Sequence, residues 1–324
     1  MNMRALCPSL LFIIIIMCMS IASCDGMPQK LAAASEGPCQ PASVSEYDFS
    51  KVVYTQADSA EVVRLLLQKP NGNDVLFFAR KFLGRPYVAY TLEVADPEQL
   101  VVNLSGLDCT TYVETVLALT LTHRQGGRSF ADYCRNLEYI RYRGGVRDGY
   151  LSRLHYFAWW MEDNIEKGLV EEIMDQSHWS ATMKVNDYYM TQHWKSYKML
   201  AAHPEWVRKI TDLERKGNGK IIRYLPQKFM NLNKKDLPAV HDGDVIAIVT
   251  TKEGLDFSHL GFVVWGKDGK MHLLNASMVY KKVVEDKNTF YKYMSERRTN
   301  VGASFLRLKN PPQLSHTVEN TEAI

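Results

Sequence analysis

Apolar residues recur at helical spacing through the first two thirds of the chain and give way to short continuous runs in the last third. Ala60 to Gln68 and Asp74 to Leu83 read as helices, the second with Val75, Phe78, Ala79 and Phe82 on one side. Gly84 ends that helix, and Arg85-Pro86-Tyr87 leaves it in an extended conformation. Val113, Val116, Leu117 and Leu121 form the next stripe and predict a helix that begins at or just after Cys109. Phe130, Tyr133, Cys134 and Leu137 make another within Ser129 to Ile140, and Leu154, Phe157, Met161 and Ile165 a further one. Between the Cys109 helix and residue 235 the pattern is mostly helical and gives no strong strand signal.

From Gly243 the period changes. Val245 to Thr251, Leu260 to Trp265, Met271 to Ala276 and Ser304 to Leu308 are short apolar runs, with Gly266-Lys267-Asp268-Gly269 as the turn between the second and third. The expected fold class is α+β, an antiparallel sheet packed against helices, with a largely helical insertion at about 123–235. Residues 25–53, rich in Ala, Ser, Pro and Gly, read as a flexible tether, 54–310 as the folded domain and 311–324 as a loose tail.

The N-terminus follows another rule. Arg4 precedes an almost wholly apolar run from Leu10 to Ile21, too short to span a bilayer comfortably, which reads as a secretory signal. It ends in Ile21-Ala22-Ser23-Cys24, which resembles the lipobox of bacterial lipoproteins. Residues 1–24 are thus expected to be a lipoprotein signal with Cys24 the lipidated residue. Such a lipid holds a protein on an extracytoplasmic membrane face, here the periplasmic side, with the outer membrane preferred over the inner.

Of six cysteines, Cys7 and Cys18 leave with the signal and Cys24 takes lipid, so Cys39, Cys109 and Cys134 remain and no disulfide framework is implied. The formal charge of +3 comes with no long basic block, which argues against nucleic-acid binding.

Cys109 carries the candidate chemistry. A thiol at a helix mouth lies beside unpaired N–H groups and a partial positive charge, expected to favour a thiolate and to hold a developing oxyanion. Such a nucleophile needs a base and a group that orients the base. Among nine histidines, His259 opens a strand in Asp256-Phe257-Ser258-His259-Leu260-Gly261-Phe262. Pairing Lys270 with Trp265 places Ala276 opposite His259, and pairing it with Val264 places Asn275 there, the only one of these registers with Asn275 on the histidine's face. His272, further along the strand, is the rival orienting group. His155, His178, His193, His203 and His241 lack the short paired spacing of zinc ligands, so neither a metal mechanism nor any cofactor is expected.

Taken in order, Gly84-Arg85-Pro86-Tyr87, Asp108-Cys109-Thr110, Gly243-Asp244-Val245-Ile246 and His259-Leu260-Gly261-Phe262 resemble the signature blocks of NlpC-type papain-like amidases. More narrowly, Phe82-Leu83-Gly84, Leu107 to Glu114, Ser152-Arg153-Leu154-His155-Tyr156, Gly254-Leu255-Asp256 and Ala276-Ser277 resemble the N-acetylmuramoyl-L-alanine amidase-like lipoproteins of Gram-negative bacteria, a family long catalogued as a domain of unknown function.

That resemblance implies a papain-like core with its nucleophile helix packed on an antiparallel sheet. It makes Cys109 the nucleophile, His259 the base and Asn275 the third member, where many relatives carry histidine. It places Tyr87, Asp108, Ser152, Arg153, His155, Tyr156 and Ser258 around the substrate. The implied reaction is hydrolysis of the bond between N-acetylmuramic acid and L-alanine in muropeptides. The alternatives are cleavage between D-glutamate and diaminopimelate, and a cell-wall-binding lipoprotein without catalysis.

Overall fold

A computed structural model gives the fold of residues 47–310. Cys24, Cys39, the signal, most of the tether and the tail lie outside the described residues. In chain order, β1 (Val52–Val53) precedes α1 (Gln56–Leu66), α2 (Asp74–Arg80), β2 (Leu100–Val101), α3 (Cys109–Arg124), α4 (Phe130–Arg141) and α5 (Phe157–Glu166). There follow β3 (Val170–Ile173), β4 (Ala181–Lys184), α6 (Tyr189–Gln192), α7 (Lys198–Ala202), α8 (Trp206–Gly217) and β5 (Ile221–Pro226). The last part holds β6 (Val245–Thr250), β7 (Phe257–Trp265), β8 (Met271–Ser277), β9 (Lys282–Thr289), α9 (Phe290–Ser295) and β10 (Asn300–Leu308).

An eight-stranded sheet in the order β4-β5-β10-β6-β7-β8-β9, with β3 also on β10, divides the interior into two cores. Strand alternation assigns the faces: Val245 and Ala247 of β6 join the core beneath the helices, while Ile246 and Ile248 join a second core with Phe290 and Met294 of α9. On β7, Leu260, Phe262 and Val264 face α3, where the Tyr112 and Phe262 rings meet edge to face at 5.6 Å.

The α3 helix is buried from Thr111 to Thr122, so it is a central helix rather than an amphipathic surface one. Its buried charge is matched across the core. Arg141 of α4 donates to Glu114 at 2.7 Å and to the Val101 carbonyl at 2.7 Å, tying α3, α4 and β2 together. At the other end of the domain, Phe49 stacks on Phe130 at 5.6 Å, so packing begins ahead of Tyr54.

The insertion departs from the helical expectation. It supplies β3, β4 and β5, and β10 pairs with β3 over Phe305↔Ile173 to Leu308↔Val170. These strands are short and carry charges such as Glu171, Glu172 and Arg223, and their partners are distant in sequence, so no apolar run announces them. The β9 strand, Lys-Val-Val-Glu-Asp-Lys-Asn-Thr, was missed for the same reason: it ends the sheet and is polar, as edges are.

Candidate active site

Cys109 is the first residue of α3 and is half-buried. Asp108 caps the helix: its carboxylate accepts from the Thr111 amide at 2.8 Å, and its own amide donates to the Thr111 hydroxyl at 2.9 Å. That box uses the Thr111 amide and leaves those of Cys109 and Thr110 at the helix end. The sulfur lies 4.0 Å from the Thr110 hydroxyl and accepts from the backbone amides of Leu260 and Thr110. The expected thiolate is not the resting form. Burial pushes the Cys109 thiol up to about 12, and the Asp108 charge adds to this, which together outweigh those donors. The cap that starts the helix also places a negative charge beside the thiol.

The Leu260 amide that meets the sulfur belongs to the residue after His259. Along β7 the register with β6 shifts between Ile248↔His259 and Val249↔Phe257, which leaves Ser258 as an extra residue in a bulge next to the histidine. With β8 the pairing runs from Phe262↔Leu274 to Trp265↔Met271. This is neither of the registers expected. Continued toward His259, it sets Gly261 opposite Asn275, two residues from the Val264 register, so Asn275 keeps the histidine's face and meets it diagonally. The glycine makes this approach possible, because a Cβ there would stand 2.7 Å from the Leu274 carbonyl and 3.0 Å from the Asn275 Cβ.

His259 Nε2 donates to Asn275 Oδ1 at 2.9 Å, so its Nδ1 keeps the lone pair. Burial lowers the His259 pKa below 6.5; the Asn275 bond opposes this, and Arg297 reinforces it. Behind the ring stands a group that the sequence did not reveal. Tyr293 of α9 stacks on His259 at 6.2 Å, and the Arg297 guanidinium lies 3.9 Å over the Tyr293 ring. His272 is engaged elsewhere, with Nδ1 3.1 Å from the Asp286 carbonyl and Nε2 3.1 Å from the Asp268 carboxylate.

A cavity of about 160 Å³ opens at the sulfur. Cys109, His259 and Leu260 form its sheet side, and the insertion brings His155, Tyr156 and Asp187 to the other, with Asp256 and Ser258 between. His155 Nε2 bonds the Tyr150 carbonyl at 2.8 Å, and burial holds this imidazole well below 6.5 and uncharged. The Tyr156 hydroxyl donates to Glu214 at 2.7 Å and accepts from the Met190 amide at 2.7 Å. Ser258 donates to Asn300 at 3.1 Å.

The remaining sequence candidates lie off the cavity. Tyr87 sits on a strap whose backbone spans the Lys281 carbonyl and Leu107, and burial, then Cys109 and Asp108, raise its pKa. Arg153 is 5 % exposed and lies between Glu98 at 3.5 Å and Glu93 at 3.7 Å, so its charge is spent inside the protein. Ser152 does not cap the following helix; it closes its own turn by donating to the Gly149 carbonyl at 2.7 Å.

Asp187 and Asp256 were not singled out from the sequence as site residues. The Asp256 amide donates to Asp187 at 3.2 Å, and the Asn186 amide donates to the Asp256 carboxylate at 3.2 Å. Burial, then the Asp256 charge, pushes Asp187 up to about 8, and burial raises Asp256 as well. Asp256 stands three residues before His259 in the motif already quoted, whereas Asp187 falls in a stretch whose pattern gave no signal.

The family described as AmiA-like, N-acetylmuramoyl-L-alanine amidase-like, matches residues 77–301. The chain belongs to this family. It is 40% identical to an N-acetylmuramoyl-L-alanine amidase of known crystal structure from Bacteroides uniformis, over 74% of this chain and 100% of that one, with a TM-score of 0.68. A Bacteroides fragilis chain whose structure carries a provisional xylanase name is 38% identical over 72% of this chain and 100% of its own, with a TM-score of 0.67. Protein LPG0564 of Legionella pneumophila, of family DUF1460, is 23% identical over 80% and 96% of the respective chains; with a TM-score of 0.59 it shows the fold alone. Among curated proteins none matches the chain by sequence. In this amidase-like family member, Cys109, His259 and the cavity they share all fall inside the matched segment.

Proposed function

We propose that the protein is a peptidoglycan amidase of papain-like, NlpC-type architecture that cleaves the bond between N-acetylmuramic acid and L-alanine in muropeptides by a Cys109, His259, Asn275 mechanism. The observation that carries the mechanism is the His259 to Asn275 bond of 2.9 Å, on the strand whose next amide bonds the Cys109 sulfur. The bond assignment is supported by the family and by the Bacteroides uniformis amidase at 40% identity.

Both reacting groups are uncharged at rest, so thiol deprotonation accompanies attack. The sulfur bonds to the amide carbonyl carbon while its proton passes to His259 Nδ1. The amide of Cys109 at the α3 end receives the oxyanion. The imidazolium then gives that proton to the amide nitrogen, the C–N bond breaks and the peptide leaves with a free amine. A water, giving its proton to His259, adds to the thioester. Collapse releases the lactyl carboxylate and returns the proton to the sulfur.

Asn275 holds the imidazole in the tautomer this requires. A glycosidase reading, raised by the Bacteroides fragilis name, fits less well. Asp187 and Asp256 are tied to each other through the Asp256 amide at 3.2 Å, and the cavity they line also holds the Cys109 thiol and His259. The lipobox-like Ile21-Ala22-Ser23-Cys24 supports attachment to the periplasmic face of the outer membrane, where muropeptides arise. Cys24→Ala should then shift the protein from the membrane to the soluble fraction.

The deciding experiment is mass spectrometry of muropeptide digests with wild type and Cys109→Ala. Free sugar and intact stem peptide support the proposal. A sugar still bearing a dipeptide assigns the cut to the bond between D-glutamate and diaminopimelate. Unchanged hydrolysis by Cys109→Ala removes the mechanism, and wild type inert on every muropeptide favours a wall-binding role.

A further inference from the structure

We propose that Asp187 and Asp256 form the receiving site for the ammonium group of the peptide that leaves Cys109. Both carboxyls line the same cavity of about 160 Å³ as the sulfur, so an amine released there emerges beside them. Asp187 is 1 % exposed, and its Oδ2 is buried without receiving a hydrogen bond. Among the described residues, no lysine or arginine lines the cavity. The ionisable groups facing Asp187 from the neighbouring elements are Asp256 ahead of β7, Glu214 of α8 and the Tyr156 hydroxyl ahead of α5.

Two buried carboxyls with no cation between them cannot both ionise cheaply, and Asp187, pushed up to about 8, keeps its proton at neutral pH. An arriving amine changes that balance. The peptide departs from the thioester as a neutral amine, carrying the proton His259 supplied. The Asp187 proton then passes to the amine nitrogen, leaving two carboxylates around one ammonium. When the peptide exits, water restores the proton to the pair. A cleft lined by one sign of charge favours such a ligand, and the N–H bonds from Asp256 and Asn186 hold the carboxylates in place. This rests on the proposed amidase reading for the choice of peptide.

The test uses the full chain with Cys109→Ala, so that nothing is turned over, and two probes: L-alanyl-D-isoglutamine and its N-acetyl derivative. Titration calorimetry at neutral pH should show the free amine binding at least tenfold more tightly, with proton release that varies as the buffer is changed. Asp187→Asn and Asp256→Asn should bring the free amine down to the level of the acetylated probe, while leaving the acetylated probe unchanged. The asparagine at 187 retains a carbonyl for the Asp256 amide, so the loop has its bond, and a thermal melt checks the fold.

Equal affinity for the two probes, no binding of the free amine up to millimolar concentration, or discrimination that survives both asparagine variants would each overturn the proposal. Failure of the amidase reading shows separately, as absent or different cleavage by wild type.

Discussion

On the sheet side of the cavity, Cys109 and His259 stand on α3 and β7, with Asn275 of β8 buried against the histidine, and neither reacting group is charged at rest. On the insertion side, His155, Tyr156 and Asp187 stand ahead of helices or between elements, among the carboxylates of Glu214 and Asp256. The first wall has its geometry fixed by regular backbone and one short hydrogen bond. The second has its geometry fixed by hydrogen bonds to charged groups. In the proposed reaction the two divide the work: regular elements hold the atoms that make and break bonds, and the inserted segment decides which groups are accepted.

The difference can be broken at its strongest point first. Cys109→Ala should lower turnover by roughly 10⁴-fold or more, the scale of losing a triad nucleophile, with thermal stability retained; residual activity within tenfold of wild type would place the chemistry elsewhere. His259→Ala should cost about 10² to 10⁴-fold in kcat/KM, as loss of a general base does. Asn275→Ala should cost about 10 to 100-fold, the range for groups that only orient an imidazole, and Asn275→His should recover most of it. Equal losses for Asn275→Ala and His259→Ala would mean that Asn275 does more than orient.

The pH profile sharpens the same wall. Turnover needs a neutral imidazole, and burial makes His259 harder to protonate, so the acid limb of kcat/KM should fall below pH 6.5. Because the thiol is pushed up to about 12, no rise should appear near the ordinary thiol value. A rise centred near pH 8.5, the free thiol value, would show a thiol that ionises independently of the histidine. The smallest catalytic effect belongs to the other wall. Tyr156→Phe removes the donor to Glu214 and should cost about 1–3 kcal/mol in denaturant unfolding, with kcat changed less than threefold.

The sheet wall was largely legible in the sequence. The α3 start follows from one apolar stripe, and the face shared by His259 and Asn275 follows from counting along a hairpin. The register itself was off by two residues. It stayed harmless because strand faces repeat every two residues, and Gly261 opens the diagonal that the count did not foresee.

The insertion wall was mostly illegible. Arg153 reads as a substrate contact because of its motif, yet Glu98 and Glu93 reach it from a loop 55 to 60 positions away, beyond any local pattern. Asp187 comes to the cavity only through β4 and β5, strands whose partners are equally remote. The thiolate expectation rested on the helix end and left out burial and the capping carboxylate, both of which raise the thiol.

The bulge at Ser258 has a bearing on how such a site changes over time. One residue there is already out of step with β6, so the strand ahead of it and the strand after it keep separate phases. A one-residue change in the loop that carries Asp256 should therefore be taken up at the bulge, while His259 keeps its pairing with Ile248 and its aim.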